Sequence, residues 1–211
     1  MIVNLNNQHQ AVQYLKGKCP IISKVIDLVG DINYEVWSDG YEFVVHEIVE
    51  QMLSTKAGNA IFRRLKEICG GIVSVDRICK LSDEQIRSTG MANSKVRYIR
   101  NFTEAIVNKD INLKDLEPLE DSEIMKILMT VKGIGQWTSK MYLIFVLDRP
   151  NVLPIEDAAF LQSYKWAFNT TDISKQAIEN NCRNWHPYKS IASRFMYRAL
   201  DMGFVKQPFI L

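Results

Sequence analysis

Apolar residues along this chain recur mostly at intervals of three and four, the spacing that gathers side chains on one face of a helix. Residues 6–18 are polar around the anchors Ala11, Val12 and Leu15, which predicts a short amphipathic helix. Pro20 suits a first helical turn, and Ile21, Ile22, Val25, Ile26 and Val29 then share a face until Gly30 ends the element. Asp39-Gly40 opens a longer helical pattern over residues 41–54, with Phe43, Val44, Ile48, Val49 and Met52 on its apolar side, and the periodicity continues through residues 55–65. After Gly70-Gly71, residues 73–81 make one short element, and Ser82 with Gln85 forms a capping box for a helix that stops at Gly90. Asn93 or Ser94 caps the next helix, whose exposed side carries Lys95, Arg97 and Arg100. No alternating strand pattern runs longer than a few residues, and no repeat or low-complexity linker divides the chain, so the reading is all-α.

One stretch differs from ordinary core patterning. Ile124, Ile127, Leu128 and Val131 carry a helix into Thr130, with Asp121 and Ser122 as N-cap candidates, and a second helix runs from about Gln136 to Val146. Between them Gly133 and Gly135 flank a single apolar residue, Ile134. Such a hairpin is too short for side chains and brings its backbone against whatever it meets. It ends at a helix N-terminus, where unpaired N–H groups and the helix dipole favour an anion such as phosphate. Further on, Asp157 begins a helix over residues 158–168 with Phe160, Leu161, Tyr164 and Phe168 inward. A carboxylate there is either an N-cap and nothing more, or a group placed for chemistry.

Composition narrows the setting. The 211 residues, 47% of them hydrophobic, suffice for a sizeable core, as one domain or two closely joined lobes. Net charge is only +2, so any nucleic-acid surface must come from local placement of Lys and Arg. The four cysteines are scattered, with no CxxC pair, which argues against a zinc or iron–sulphur site and fits isolated thiols in a reducing compartment. His9, His46 and His186 show no ligand spacing. The first residues lack the basic and apolar pattern of a secretion signal, and no apolar run reaches the roughly 20 residues that span a bilayer, so a cytoplasmic location is expected, nucleoid-associated in a bacterium.

Four segments, in order, resemble the helix-hairpin-helix DNA glycosylases, in particular the alkylpurine (3-methyladenine DNA glycosylase II) branch. The run V-K-G-I-G-Q-W-T-S-K, residues 131–140, followed by P-x-x-D at 154–157, is similar to that family's hairpin and essential aspartate. E-Q-M-L-S-T-K-A, residues 50–57, resembles its Q-x-[LIV]-S-x-K-A region, and residues 90–99 resemble its G-[LM]-S-x-x-K-x-x-Y-[LI] turn and helix. The ending from Trp185 resembles W-x-P-[YW]-R-S-x-A-x-x-[YF]-[LM]-[WY], with Lys189 in place of the usual Arg. The likeness covers roughly Tyr41 to Leu200.

The resemblance implies a two-lobed all-α fold with the active site between the lobes. A six-helix lobe over about 36–146 would carry the hairpin, and residues 1–35 with 147–211 the catalytic Asp157. At 211 residues the extra N-terminal β-containing domain of some relatives is not expected. It further implies base excision repair chemistry: hydrolysis of the bond between sugar and a flipped-out alkylated purine, by water that Asp157 assists. Bifunctional members carry a lysine two residues after the second hairpin glycine; that position is Trp137 here, and Lys132 lies on the wrong side of the turn, so strand cleavage is not expected. Trp137, Trp185 and Met141 map onto the base pocket, while Glu156 matches no family position. Ala158 stands where some relatives have an aromatic residue. Gly133, Gly135, Thr138, Lys140, Ser54 and Lys95 map onto the DNA grip, and Gln51 and Met52 are the two candidates for the wedge that fills the vacated stack, Met52 being equally readable as a core methionine. The helix bearing Lys95 is either a solvated basic face or a backbone contact. Damaged double-stranded DNA is the implied partner and a monomer the expected state, with no cofactor beyond a monovalent cation on the hairpin carbonyls. The rival reading is a non-catalytic helix-hairpin-helix module that binds DNA structure.

Overall fold

The computed structural model describes residues 2–211. They divide into two units: residues up to Val36 together with Asp148–Leu211, and the intervening Trp37–Leu147.

The first unit begins with β1 (Ile2–Leu5), α1 (Gln10–Lys18), α2 (Pro20–Val29) and β2 (Ile32–Glu35). Ala11, Val12 and Leu15 are buried on α1, and Ile22, Val25, Ile26 and Val29 on α2, as the periodicity predicts. Gly30 closes α2 at φ 73°, donating its N–H to Ile26. The two strands pair antiparallel, Ile2 opposite Glu35 and Leu5 opposite Ile32. This two-stranded sheet is a small addition to a fold that is otherwise helical, as expected. Strands of four residues are too short for an alternating pattern, and their pairing is made across two helices.

The second unit holds α3 (Gly40–Glu50), α4 (Thr55–Ile68), α5 (Val75–Lys80), α6 (Asp83–Ser88), α7 (Asn93–Val107), α8 (Asp121–Met129) and α9 (Gln136–Phe145), seven α-helices where six are expected. Asp39 caps α3, its carboxylate accepting from the N–H groups of Tyr41 and Glu42 at 2.9 Å. The capping box at Ser82 and Gln85 is present with both of its bonds. Two other caps fall one residue earlier than expected: Ala92 opens α7 and Glu120 opens α8, neither with a side-chain bond, which leaves Asn93 and Asp121 as first helical residues. Packed against α4, α7 and α9, helix α3 is the spine of this unit, and Val44, Ile48 and Val49 on it are wholly buried. The expected continuous helix over 41–54 breaks after Glu50, and that break makes the loop considered below.

The chain then returns to the first unit through α10 (Ala158–Ala167), α11 (Lys175–Asn181) and α12 (Lys189–Asp201). Helix α12 packs on α2 and α10 around Phe160, Tyr164, Trp185 and Phe195. Arg194, its side chain 6% exposed, lies 3.6 Å from the centre of the Tyr34 ring and donates to Asp148 at 3.1 Å, while the Tyr34 hydroxyl also donates to Asp148. Burial pushes the Tyr34 hydroxyl up to about 12, so it remains a donor. This pairing explains how a guanidinium can sit in a core. No helix among the described residues is long and apolar enough to cross a membrane.

Candidate functional site

The hairpin forms where the sequence places it. After Met129 the chain turns through Thr130 and Val131, with Ile134 donating its N–H to Val131 at 3.0 Å, and α9 begins at Gln136. Ile134 is buried, anchoring the turn from within, whereas Gly135 and Gln136 are exposed. Gly133 stands at φ 113°, a backbone conformation that only glycine adopts readily. The ring of Tyr98, from α7, occupies the space where a side chain on Gly133 would go. Ser139 makes the first intrahelical bond of α9, back to Gly135. A helix N-terminus in such a turn, with the dipole behind it, favours an anion.

Two side-chain amides hold this turn. Asn101 of α7 donates to the Lys132 carbonyl at 3.0 Å, and Gln51 donates to the Gly133 carbonyl at 3.0 Å and to the Thr138 hydroxyl at 3.3 Å. Gln51 sits directly before Met52, in the loop between α3 and α4. The two wedge candidates therefore differ. Gln51 is half-buried and tied to the hairpin, whereas Met52 is fully exposed at φ 58° and is not a core residue. Its neighbour Leu53 is also exposed, and Ser54 caps α4, accepting from Ala57.

Several residues expected at DNA also make bonds within the protein. Lys95 donates to the carbonyls of Val49 at 2.7 Å and Gln51 at 2.6 Å, closing the C-terminal end of α3, where cations complement the dipole. Burial holds its ammonium below the ordinary lysine range, against the opposing pull of Glu50. Arg100 pairs with Asp83 at 2.8 Å and donates to the carbonyls of Ile78 and Leu81. The basic side of α7 is thus largely internal wiring, with Arg97 exposed. Thr138 is wholly buried and receives the Gln51 amide, so it supports the hairpin from behind; Lys140 is half-buried on α9.

Asp157, in the first unit, is the N-cap of α10, and Oδ1 accepts from the Phe160 N–H at 2.7 Å. Its own N–H donates to the Pro154 carbonyl at 3.0 Å, which fixes the approach to the cap. The side chain is half-buried. Capping and chemistry are compatible here, because the cap bond orients a carboxylate that has two oxygens.

Of the residues mapped onto the base pocket, Trp137 is half-buried on the first turn of α9. Met141 and Trp185 are more enclosed than Trp137. Met141 is buried on α9, and Trp185 is 0% exposed, in ring contact with Phe160 and Phe168. Met141 follows the apolar period of α9, and Trp185 ends a short turn ahead of α12, so each packs within its own unit. The sequence reading also missed Asn101, and it named Tyr98 only as part of a motif; a polar residue and an aromatic three apart on a helix give no sign of what they support. No group of three or more His, Cys, Asp or Glu among the described residues is placed to hold a metal ion.

The family model described as HhH-GPD superfamily base excision DNA repair protein matches residues 45–187. The chain is 28% identical to DNA-3-methyladenine glycosylase 1 of Schizosaccharomyces pombe over 172 residues, 80% of this chain and 75% of that protein. Among solved structures it resembles the S. pombe 3-methyladenine DNA glycosylase in complex with abasic DNA, with TM-score 0.85, 26% identity and coverage of 92% of this chain and 98% of that one. It likewise resembles the DNA-3-methyladenine glycosidase of Bacillus halodurans, with TM-score 0.84, 26% identity and coverage of 98% and 95%. With a family match across more than half its length, the chain belongs to the HhH-GPD superfamily of base excision DNA repair proteins.

Proposed function

We infer that this protein is a monofunctional DNA glycosylase that everts alkylated purines of the 3-methyladenine and 7-methylguanine type from duplex DNA and hydrolyses their bond to the sugar. The observation that carries the reading is its near end-to-end likeness to a 3-methyladenine DNA glycosylase solved on abasic DNA, together with an aspartate that caps α10 at the position the resemblance assigns to the essential one. Heterolysis of the glycosidic bond leaves positive charge on the sugar, as in glycoside hydrolysis. The Asp157 carboxylate would stabilise that charge and accept a proton as water adds to C1′. Alkylation gives the purine positive charge, which weakens its bond to the sugar and favours stacking on an electron-rich ring; Trp137 is the aromatic candidate that is not wholly buried.

Gly133, Gly135 and the opening N–H groups of α9 would take a backbone phosphate, with Lys140 contributing charge nearby and Ser54 beside the wedge loop. Met52 would enter the gap left by the everted base. A monovalent cation would sit on the hairpin's backbone oxygens; those of Lys132 and Gly133 already accept one amide each, and a carbonyl oxygen has two lone pairs. We take the working form to be a monomer on DNA, and the location to be cytoplasmic.

The experiment is direct: incubate the protein with methylated duplex DNA and measure free 3-methyladenine and 7-methylguanine by chromatography. Release of either base supports the enzyme. Tight binding to the same DNA without release would favour the non-catalytic helix-hairpin-helix module.

A further inference from the structure

Three residues of α7, Lys95, Tyr98 and Asn101, recur at every third position and so form one stripe along the helix. Each meets a different part of the DNA-facing apparatus of the second unit. Lys95 holds the carbonyls of Val49 and Gln51 at the root of the wedge loop. Tyr98 lies against Gly133, and Asn101 holds the Lys132 carbonyl, both in the hairpin. The circuit closes through Gln51, whose backbone is held by Lys95 while its side chain reaches Gly133 and Thr138. Met52 projects from this loop next to a residue fixed at both ends.

We propose that Lys95 and Gln51 are positioning residues for base eversion: they lock the Met52 loop to the phosphate-binding hairpin, so that docking a phosphate on the hairpin sets the wedge against the base stack. This rests on the glycosylase reading above. A methionine on a mobile loop loses conformational freedom as it enters the stack, which subtracts from what insertion gains; a loop already held avoids that loss. The ties matter only while a base must be forced out of a paired stack. A lesion opposite an abasic site is already unpaired and needs far less help.

The test compares single-turnover release of 7-methylguanine from two duplexes, one with the lesion opposite cytosine and one with it opposite an abasic-site analogue. A 2-aminopurine beside the lesion reports eversion by fluorescence, independently of bond cleavage. Lys95→Met and Gln51→Leu, which keep bulk and remove the donors, are expected to slow release from the paired duplex about tenfold or more while changing release opposite the abasic site less than about threefold. Lys95→Arg, which keeps donors, restores the paired rate. Met52→Ala shows the same paired-substrate defect, and adding it to Lys95→Met or Gln51→Leu lowers the rate little further, since one function is lost once.

Equal slowing on both duplexes would mean general structural damage and overturn the proposal, as would no slowing on either. If Lys95→Met fails to fold, Gln51→Leu supplies the same reading. Eversion that is wild-type-dependent and variant-sensitive without base release would sink the enzymatic reading and leave the positioning role standing. Neither release nor eversion by the wild type would sink both.

Discussion

The ring of Tyr98 lies where the side chain of residue 133 would begin: a Cβ built on Gly133 would be 2.6 Å from Tyr98 Cδ1, and φ there is 113°. Gly135, two residues on, has no atom within 4 Å of such a Cβ and an ordinary negative φ of −110°. The two glycines of one hairpin should therefore respond differently to the same change. Gly133→Ala combines backbone strain with overlap against a ring and should cost about 2–4 kcal/mol of stability. Gly135→Ala should leave the melting temperature nearly unchanged while lowering DNA affinity, because its methyl would stand on the surface proposed to take phosphate. Thermal denaturation and a salt titration of DNA binding on both variants check this.

Trp185 should behave as a core residue. Its indole is wholly buried and its N–H has no hydrogen-bond partner. Trp185→Ala should lose about 3–5 kcal/mol, the range for emptying a large aromatic site. Trp185→Phe should cost less, since it also removes an unsatisfied buried donor, and should leave the relative rates on different alkylated bases unchanged. Denaturant titration of both variants, with base release from Trp185→Phe, measures each part; altered lesion preference in Trp185→Phe would return the ring to the binding pocket.

His46 gives the second unit a pH-dependent contribution. Burial opposes its protonation, but a 2.9 Å contact to Glu47, the charges of Glu47 and Glu50, and Asn59 from α4 outweigh burial and raise its pKa above the ordinary histidine value of 6.5. The rings of Trp37 and Phe62 complete its surroundings. A group whose folded pKa is raised contributes stability that is complete below its unfolded value and lost as pH rises through the folded one. The wild type should lose stability relative to His46→Gln on going from about pH 5.5 to about pH 8.5, a window set by the histidine. Parallel melting curves for the two proteins at both pH values provide the measurement.

On the proposed reading, Trp137 occupies the position at which a lyase of this family would carry its amine nucleophile. Base release should therefore leave an intact abasic strand: denaturing gels should show nicks only after alkali, and borohydride should trap no covalent protein–DNA adduct. A trapped adduct would mean that another amine attacks the sugar.

Much of this could be read from the chain because it is local. Asp39, Ser82 with Gln85, and Gly30 announce helix ends through short-range hydrogen bonding and backbone freedom, and each is where its type suggests. The hairpin is legible for the same reason. What escaped notice depends on distant partners. Lys95 has the pattern of a solvated basic face, yet its ammonium completes a helix end more than forty residues earlier. Met141 and Trp185 are buried, a property that the four-residue motif context of Trp185 does not reveal. Ile2–Leu5 and Ile32–Glu35 are strands only because they meet. Met52 lay at a helical spacing that its left-handed backbone cancels.

The proposed chemistry turns on Asp157, and one substitution removes its charge with little disturbance to the fold. Asp157→Asn keeps an oxygen that can accept from the Phe160 N–H, so the cap on α10 and the melting temperature should survive. The single-turnover rate of 7-methylguanine release from duplex DNA should fall by about a hundredfold or more, while affinity for the same DNA stays near that of the wild type. A variant that releases base at close to the wild-type rate would show that residue 157 is a helix cap alone and that the proposed chemistry is wrong.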